Sequence, residues 1–222
     1  MDRIAKATSA TQVYEKLRAD LIQGTLKPGQ KLQIDFVSSR YGAGLNPVRE
    51  ALNRLSSEGL VDRRDQRGFF VPPVSIEHWR ELVKTRCWVE AKALEESIGN
   101  RNQAWEERVV LAFHRLSRTP WNLPGGTLAA NPVWEERHRA FHIALLSACG
   151  SSILIDFCED LMDQAQRYRF ISVASTFPHR DTVAEHRGIM EAALDGDAPL
   201  ATRRLTEHYM ITFKAVEDKI GR

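Results

Sequence analysis

Apolar residues recur at helical spacing over most of the chain, with a break near residue 70. Val13, Leu17 and Leu21 repeat every four positions and predict a first helix over about Thr11–Gln23. Gly24 and then Lys27-Pro28-Gly29 turn the chain. A short second helix, Ile34–Tyr41, stops at Gly42-Ala43-Gly44. Asn46 followed by Pro47 reads as an N-cap and first helical residue, opening a third helix that reaches Glu58 before Gly59. Its buried stripe is Val48, Leu52 and Leu55, with Arg49 and Arg54 off that stripe. Two short strands, about Leu60–Arg64 and Phe69–Pro72, flank the polar tip Asp65-Gln66-Arg67-Gly68. Three helices closed by a hairpin make a winged helix-turn-helix.

Pro72-Pro73 forms an extended strut, and Ser75 is placed to cap the helix that follows, Ser75 to about Ile98. Every readable segment beyond it has helical periodicity. Asn131-Pro132 opens a helix ending at Cys149-Gly150, another spans about Ser151–Ala174, and Asp197-Ala198-Pro199 opens the last. The fold class expected is therefore mainly α: an N-terminal winged helix-turn-helix over residues 1–73 and a C-terminal antiparallel all-helical bundle over 74–222. The stretch 118–132 reads as a loop.

Charge sharpens this division. Of 31 Lys/Arg and 29 Asp/Glu, 12 and 8 lie before Ser75, leaving 19 basic against 21 acidic residues beyond it. The anion-binding surface thus belongs to the first third. The segment MDRIAKATSA lacks the apolar core of a secretory signal, and no long apolar run marks a membrane span. A cytoplasmic protein is expected, with Cys87, Cys149 and Cys158 as reduced, mostly packed thiols.

The strings LIQGTLKPGQKL, NPVREALNRLSSEGLV and RGFFV resemble the GntR family of bacterial regulators across residues 11–73. HRAFHIALLSACGS and EHRGIMEAALDGDAPLATRRLTEH resemble the helical effector-binding (FCD) domain of its FadR branch, and the whole is similar to carbon-starvation-induced regulators that respond to small dicarboxylates. The resemblance implies a homodimer whose paired third helices enter successive major grooves of a palindromic operator. Asn46 and Arg49, at a helix N-terminus, suit phosphate and base-edge contacts, and Gln66-Arg67-Gly68 could enter the minor groove. Arg54 reads first as a solvated helix charge and second as a base contact, and Arg63 and Arg64 as an exposed strand edge. The family often carries Ser-Arg-Thr before the proline. Here Gly44-Leu45-Asn46 puts leucine where that arginine stands.

Four histidines supply the second chemistry. His138 and His142, one turn apart, share a face with Trp134, Phe141 and Leu145. His186 sits on the side of Ile189, Met190 and Ala193, and His208 follows Leu205 on the last helix. Four inward imidazoles on three helices can surround a divalent transition metal such as zinc or nickel. Each alone would read as a core histidine, and His78, His114 and His179 are assigned to surface or packing. In the family pattern an aspartate precedes three histidines. His142, His186 and His208 match those three, and His138 occupies the aspartate position. Four neutral imidazoles leave a divalent ion's charge at about +2, which favours an anionic effector, a small carboxylate.

Arg86 shares the buried face of its helix with Trp79, Leu82, Val83 and Ala93. It either pairs with Glu90 one turn on or clamps a ligand carboxylate; arginine at this position in the family lines the effector cavity. Tyr168 and Arg169, beside Leu154, Phe157, Leu161 and Ala165, are further effector-binding candidates. The expected function is a repressor released by its effector. A metal-sensing regulator is the alternative. A metal-dependent hydrolase is disfavoured, since there is no HExxH pattern, nucleophile elbow or glycine-rich nucleotide loop.

Overall fold

The computed structural model describes residues 8–122, 131–176 and 180–220, with side chains left aside for 171–176. His179 and most of the expected 118–132 loop lie outside the described residues. The chain divides into two units, one up to Val74 and one from Ser75 onward.

In the first unit α1 (Ser9–Ile22) begins where the Thr8 hydroxyl accepts from the Thr11 amide at 3.1 Å. Val13, Leu17 and Leu21 are buried, as their spacing predicts. Gly42, in the left-handed region at φ 65°, ends α2 (Ile34–Tyr41), a conformation favouring glycine. Helix α3 (Leu45–Ser57) packs against α1 through Val48, Ala51, Leu52 and Leu55. It starts earlier than the sequence suggests: Gly44 is the N-cap, and Asn46 makes no capping bond. Pro47, third in the helix, is tolerated because the first four helical amides have no intrahelical acceptor.

The sheet has three strands in the order β1 (Lys31–Leu32), β3 (Gly68–Phe70), β2 (Asp62–Arg64), all antiparallel. Sequence periodicity predicts the hairpin but misses β1, whose two residues cannot show an alternation. The strands are also shorter than expected. Leu60 and Val61 donate to the Leu55 carbonyl (2.9 and 3.2 Å), so they finish α3 before pairing begins. At the tip Gln66 (φ 58°) and Gly68 (φ 90°) both take left-handed backbone, closing the turn with Arg67 N donating to Arg64 O.

The second unit comprises α4 (Ile76–Gly99), α5 (Gln103–Ser117), α6 (Pro132–Leu146), α7 (Ser152–Thr176), α8 (Thr182–Leu194) and α9 (Ala198–Ile220). Ser75, Asn102, Asn131, Asp181 and Asp197 side chains accept from first-turn amides, so each of α4, α5, α6, α8 and α9 starts at a cap. Helix α4 packs on α9, α7 and α6, α8 on α9 and α5, and α5 on α6. The core is built on Trp79, Trp105, Leu94, Ile98 and Phe141. Both indoles find backbone acceptors, Trp79 on Phe213 O and Trp105 on Leu145 O. Phe157 departs from expectation: it is 46% exposed, one residue off the buried stripe of Cys158, Leu161, Met162 and Ala165. Cys87, Cys149 and Cys158 are free thiols. Among the described residues no helix is long and apolar enough to cross a membrane.

Candidate metal centre and nucleic-acid interface

The i, i+4 spacing on α6 brings His138 and His142 together, and α8 and α9 add His186 and His208. One ring nitrogen from each lies within 4.8 Å of the others, and all four residues are buried. Hydrogen bonds on the far side of three rings fix which nitrogen faces inward. His186 Nδ1 donates to the Thr182 carbonyl, and His208 Nδ1 donates to Glu185 Oε2 at 2.8 Å, the shorter of its two contacts, with Arg180 Nη2 at 3.1 Å. Tyr209 gives its proton to Glu90 Oε2, so its oxygen accepts from His142 Nδ1 at 3.1 Å. In each neutral ring Nε2 then carries a lone pair.

His138 and His142 meet Nε2 to Nε2 at 3.2 Å, and His186 Nε2 is buried with no hydrogen-bond partner. An orphaned buried acceptor is costly and asks for an explanation. A shared cation would supply one, since two nitrogens bonded to one tetrahedral zinc at 2.0–2.1 Å sit about 3.3 Å apart. Burial lowers the pKa of all four rings, reinforced by mutual repulsion of their charged forms at His138, His142 and His208. His186 falls to about 4, burial again being the main cause. The cluster is a set of neutral donors.

A cavity of about 20 Å³, room for a water-sized guest, opens beside the cluster. Its wall includes His138, His186, His208 and three arginines, each paired with a glutamate. Arg86 forks onto Glu90 (2.6 and 3.3 Å) and lies over the Tyr209 ring; Arg169 binds Glu135 at 2.7 Å; Arg180 binds Glu185 and donates to His208 O.

The first unit presents a different surface. Arg49, Arg63, Arg64 and Arg67 are exposed on α3 and the hairpin, with Lys31 beside Gly68 on β1. Residues 9–71 match the family model described as bacterial regulatory proteins, gntR family, and residues 81–210 match the FCD domain. The chain belongs to the GntR family.

Among its relatives, the HTH-type transcriptional regulator BphR of Paraburkholderia xenovorans is 37% identical over 195 residues, 88% of this chain and 80% of BphR. The transcriptional repressor GlaR of Escherichia coli is 31% identical over 212 residues, 94% of this chain and 96% of GlaR. Escherichia coli McbR/YncC shares the fold, with a TM-score of 0.78 at 20% identity, covering 97% of this chain and 100% of that one. This GntR-family protein is a DNA-binding transcriptional regulator with a winged helix-turn-helix and a helical FCD domain.

The structure distributes the expected site residues of this GntR regulator unevenly. Asn46 and Arg49 stand exposed on the first turns of α3, and Gln66, Arg67 and Gly68 form the exposed hairpin tip. Arg54 is tied back, its guanidinium 3.7 Å from the Tyr14 ring centroid and bonded to Glu58, as suits a helix charge. Arg86 finds Glu90, the structural partner that the sequence left open, while still facing the cavity. Arg169 also lines the cavity. Tyr168 is not among the lining residues. It stacks on Trp79 at 5.0 Å, and its hydroxyl donates to Ser75 O and lies 3.0 Å from His78 Nδ1, holding the start of α4.

Sequence reasoning named Glu90 only as a partner for Arg86 and passed over Arg180, Tyr209, Glu135 and Glu185 as parts of this site. Arg180 precedes α8 outside any periodic pattern. Glu185 and Tyr209 carried a weak signal, each being adjacent to a candidate ligand.

Proposed function

We propose that this regulator is a homodimeric repressor whose FCD domain holds a divalent transition metal, zinc or nickel, on His138, His142, His186 and His208. The observation that carries this reading is the unpartnered His186 Nε2 inside a cluster of neutral imidazoles. When bound, the metal supplies positive charge next to the cavity. The three nearby guanidiniums are each balanced by a glutamate, so the ion's +2 is left for an incoming anion. A small carboxylate, of one or two carboxyl groups, is the effector class this favours, with Arg169 and Arg86 as residues that would orient it. GlaR's description as a repressor supports the same sign of regulation.

The cavity volume also favours a second reading. At about 20 Å³ it suits an ion better than an organic acid, so the metal itself could be the signal. Thermal shift with and without zinc or nickel, crossed with a series of mono- and dicarboxylates, separates the two. Carboxylate stabilisation that requires metal supports effector docking, whereas a DNA affinity that responds to metal alone supports sensing. Absence of any metal-dependent shift rejects both.

DNA binding is proposed to run through Asn46, Arg49 and the hairpin tip Gln66, Arg67 and Gly68. Arg49→Ala is expected to weaken DNA binding and, if Arg49 meets a phosphate, to lower the salt slope by about 1. Arg54→Ala should leave affinity within about twofold, because that guanidinium is committed to Tyr14 and Glu58. Equal losses from both, in titrations over a salt series, would contradict this assignment.

A further inference from the structure

The second half of α3 is largely committed to its own fold. Arg54 lies over Tyr14, and Asn53 accepts from Arg63 Nη1 at 3.4 Å. What remains for a ligand is the N-terminal end of the helix: Leu45, Asn46 and Arg49. Asn46 and Arg49 are exposed and have no side-chain partner among the described residues. Leu45 is 46% exposed, at the first position of the helix, so it packs little of itself into the core. A single exposed leucine is ordinary on a protein surface. This one is set apart by its place. It stands on the same flank as Arg49, one turn away, in a unit whose hairpin and β1 also expose Arg63, Arg64, Arg67 and Lys31.

In a helix-turn-helix the N-terminal residues of the groove helix meet base edges. A branched apolar side chain there has no donor or acceptor to offer. The one apolar group on a major-groove base edge is the C5 methyl of thymine. Gly44, immediately before Leu45, has no side chain to hold the backbone away from the duplex. We infer that Leu45 is a specificity-determining residue that reads a thymine methyl in each half-site of the operator, beside hydrogen-bonding readout by Asn46 and Arg49. This rests on α3 being the helix that enters the groove.

The test starts from a random double-stranded DNA pool selected with the full-length chain. Each thymine of the selected duplex is then replaced singly by deoxyuridine, which removes the methyl and leaves base pairing intact. The wild type should lose about fourfold in affinity at one thymine per half-site, the value of one buried methyl-sized group. Leu45→Ala should bind both duplexes equally at that position, and a pool reselected with it should relax there. The inference is overturned if no thymine is sensitive, if Leu45→Ala keeps the same thymine-to-uracil ratio, or if no sequence is enriched. Arg49→Ala, measured on the same duplex, tests the groove placement of α3 separately: unchanged affinity would fault that placement rather than the methyl contact.

Discussion

Glu90→Ala is expected to destabilise the helical unit by about 3–5 kcal/mol, the cost of leaving one member of a buried ion pair unpaired. Glu90 is fully buried and Arg86 is 5% exposed, so neither charge can turn to water. The Glu90 carboxylate accepts from Arg86 Nε, Arg86 Nη2 and the Tyr209 hydroxyl, and its loss strands three donors at once. In thermal unfolding the shift should be roughly 6–20 °C. The double variant Arg86→Met with Glu90→Leu should lose much less than Glu90→Ala, because no charge remains to be solvated. A single-variant loss below about 1 kcal/mol would mean that the pair is not buried in solution as it is here.

The same residue shows what could and could not be read from the chain. Arg86 and Glu90 are one turn apart on α4, so their pairing was visible as an alternative. Local spacing also placed Val13, Leu17 and Leu21 in the core and brought His138 next to His142, because helical phase alone decides both. The remaining site contacts come from separate helices. Arg169 reaches Glu135 across 34 positions, and Tyr209 reaches Glu90 across 119. No periodicity encodes such distances; packing of α4, α6, α7 and α9 creates them. The start of α3 failed for a different reason. Asn-Pro carries a strong cap signal, yet proline fits anywhere in the first turn, so it marks that turn without fixing its first residue.

Metal held by the four histidines would make the stability cost of losing His186 depend on whether the ion is present. In metal-free protein His186 buries an Nε2 with no partner, a liability of about 1–3 kcal/mol. His186→Leu removes that atom at similar volume. It also gives up the bond from Nδ1 to Thr182 O, worth about 0.5–1.5 kcal/mol. In chelator the variant is therefore expected to be within about 1 kcal/mol of wild type, or more stable than it. With zinc in hundredfold excess over its Kd, wild type gains about 2.7 kcal/mol by mass action. His186→Leu, short of a ligand and with an apolar group in the cluster, should gain far less, so the stability difference shifts in favour of wild type on adding metal. A merely structural histidine would give one fixed difference in both conditions. Unfolding of both proteins in chelator and in zinc decides the matter, and parallel curves would remove His186 from the ligand set.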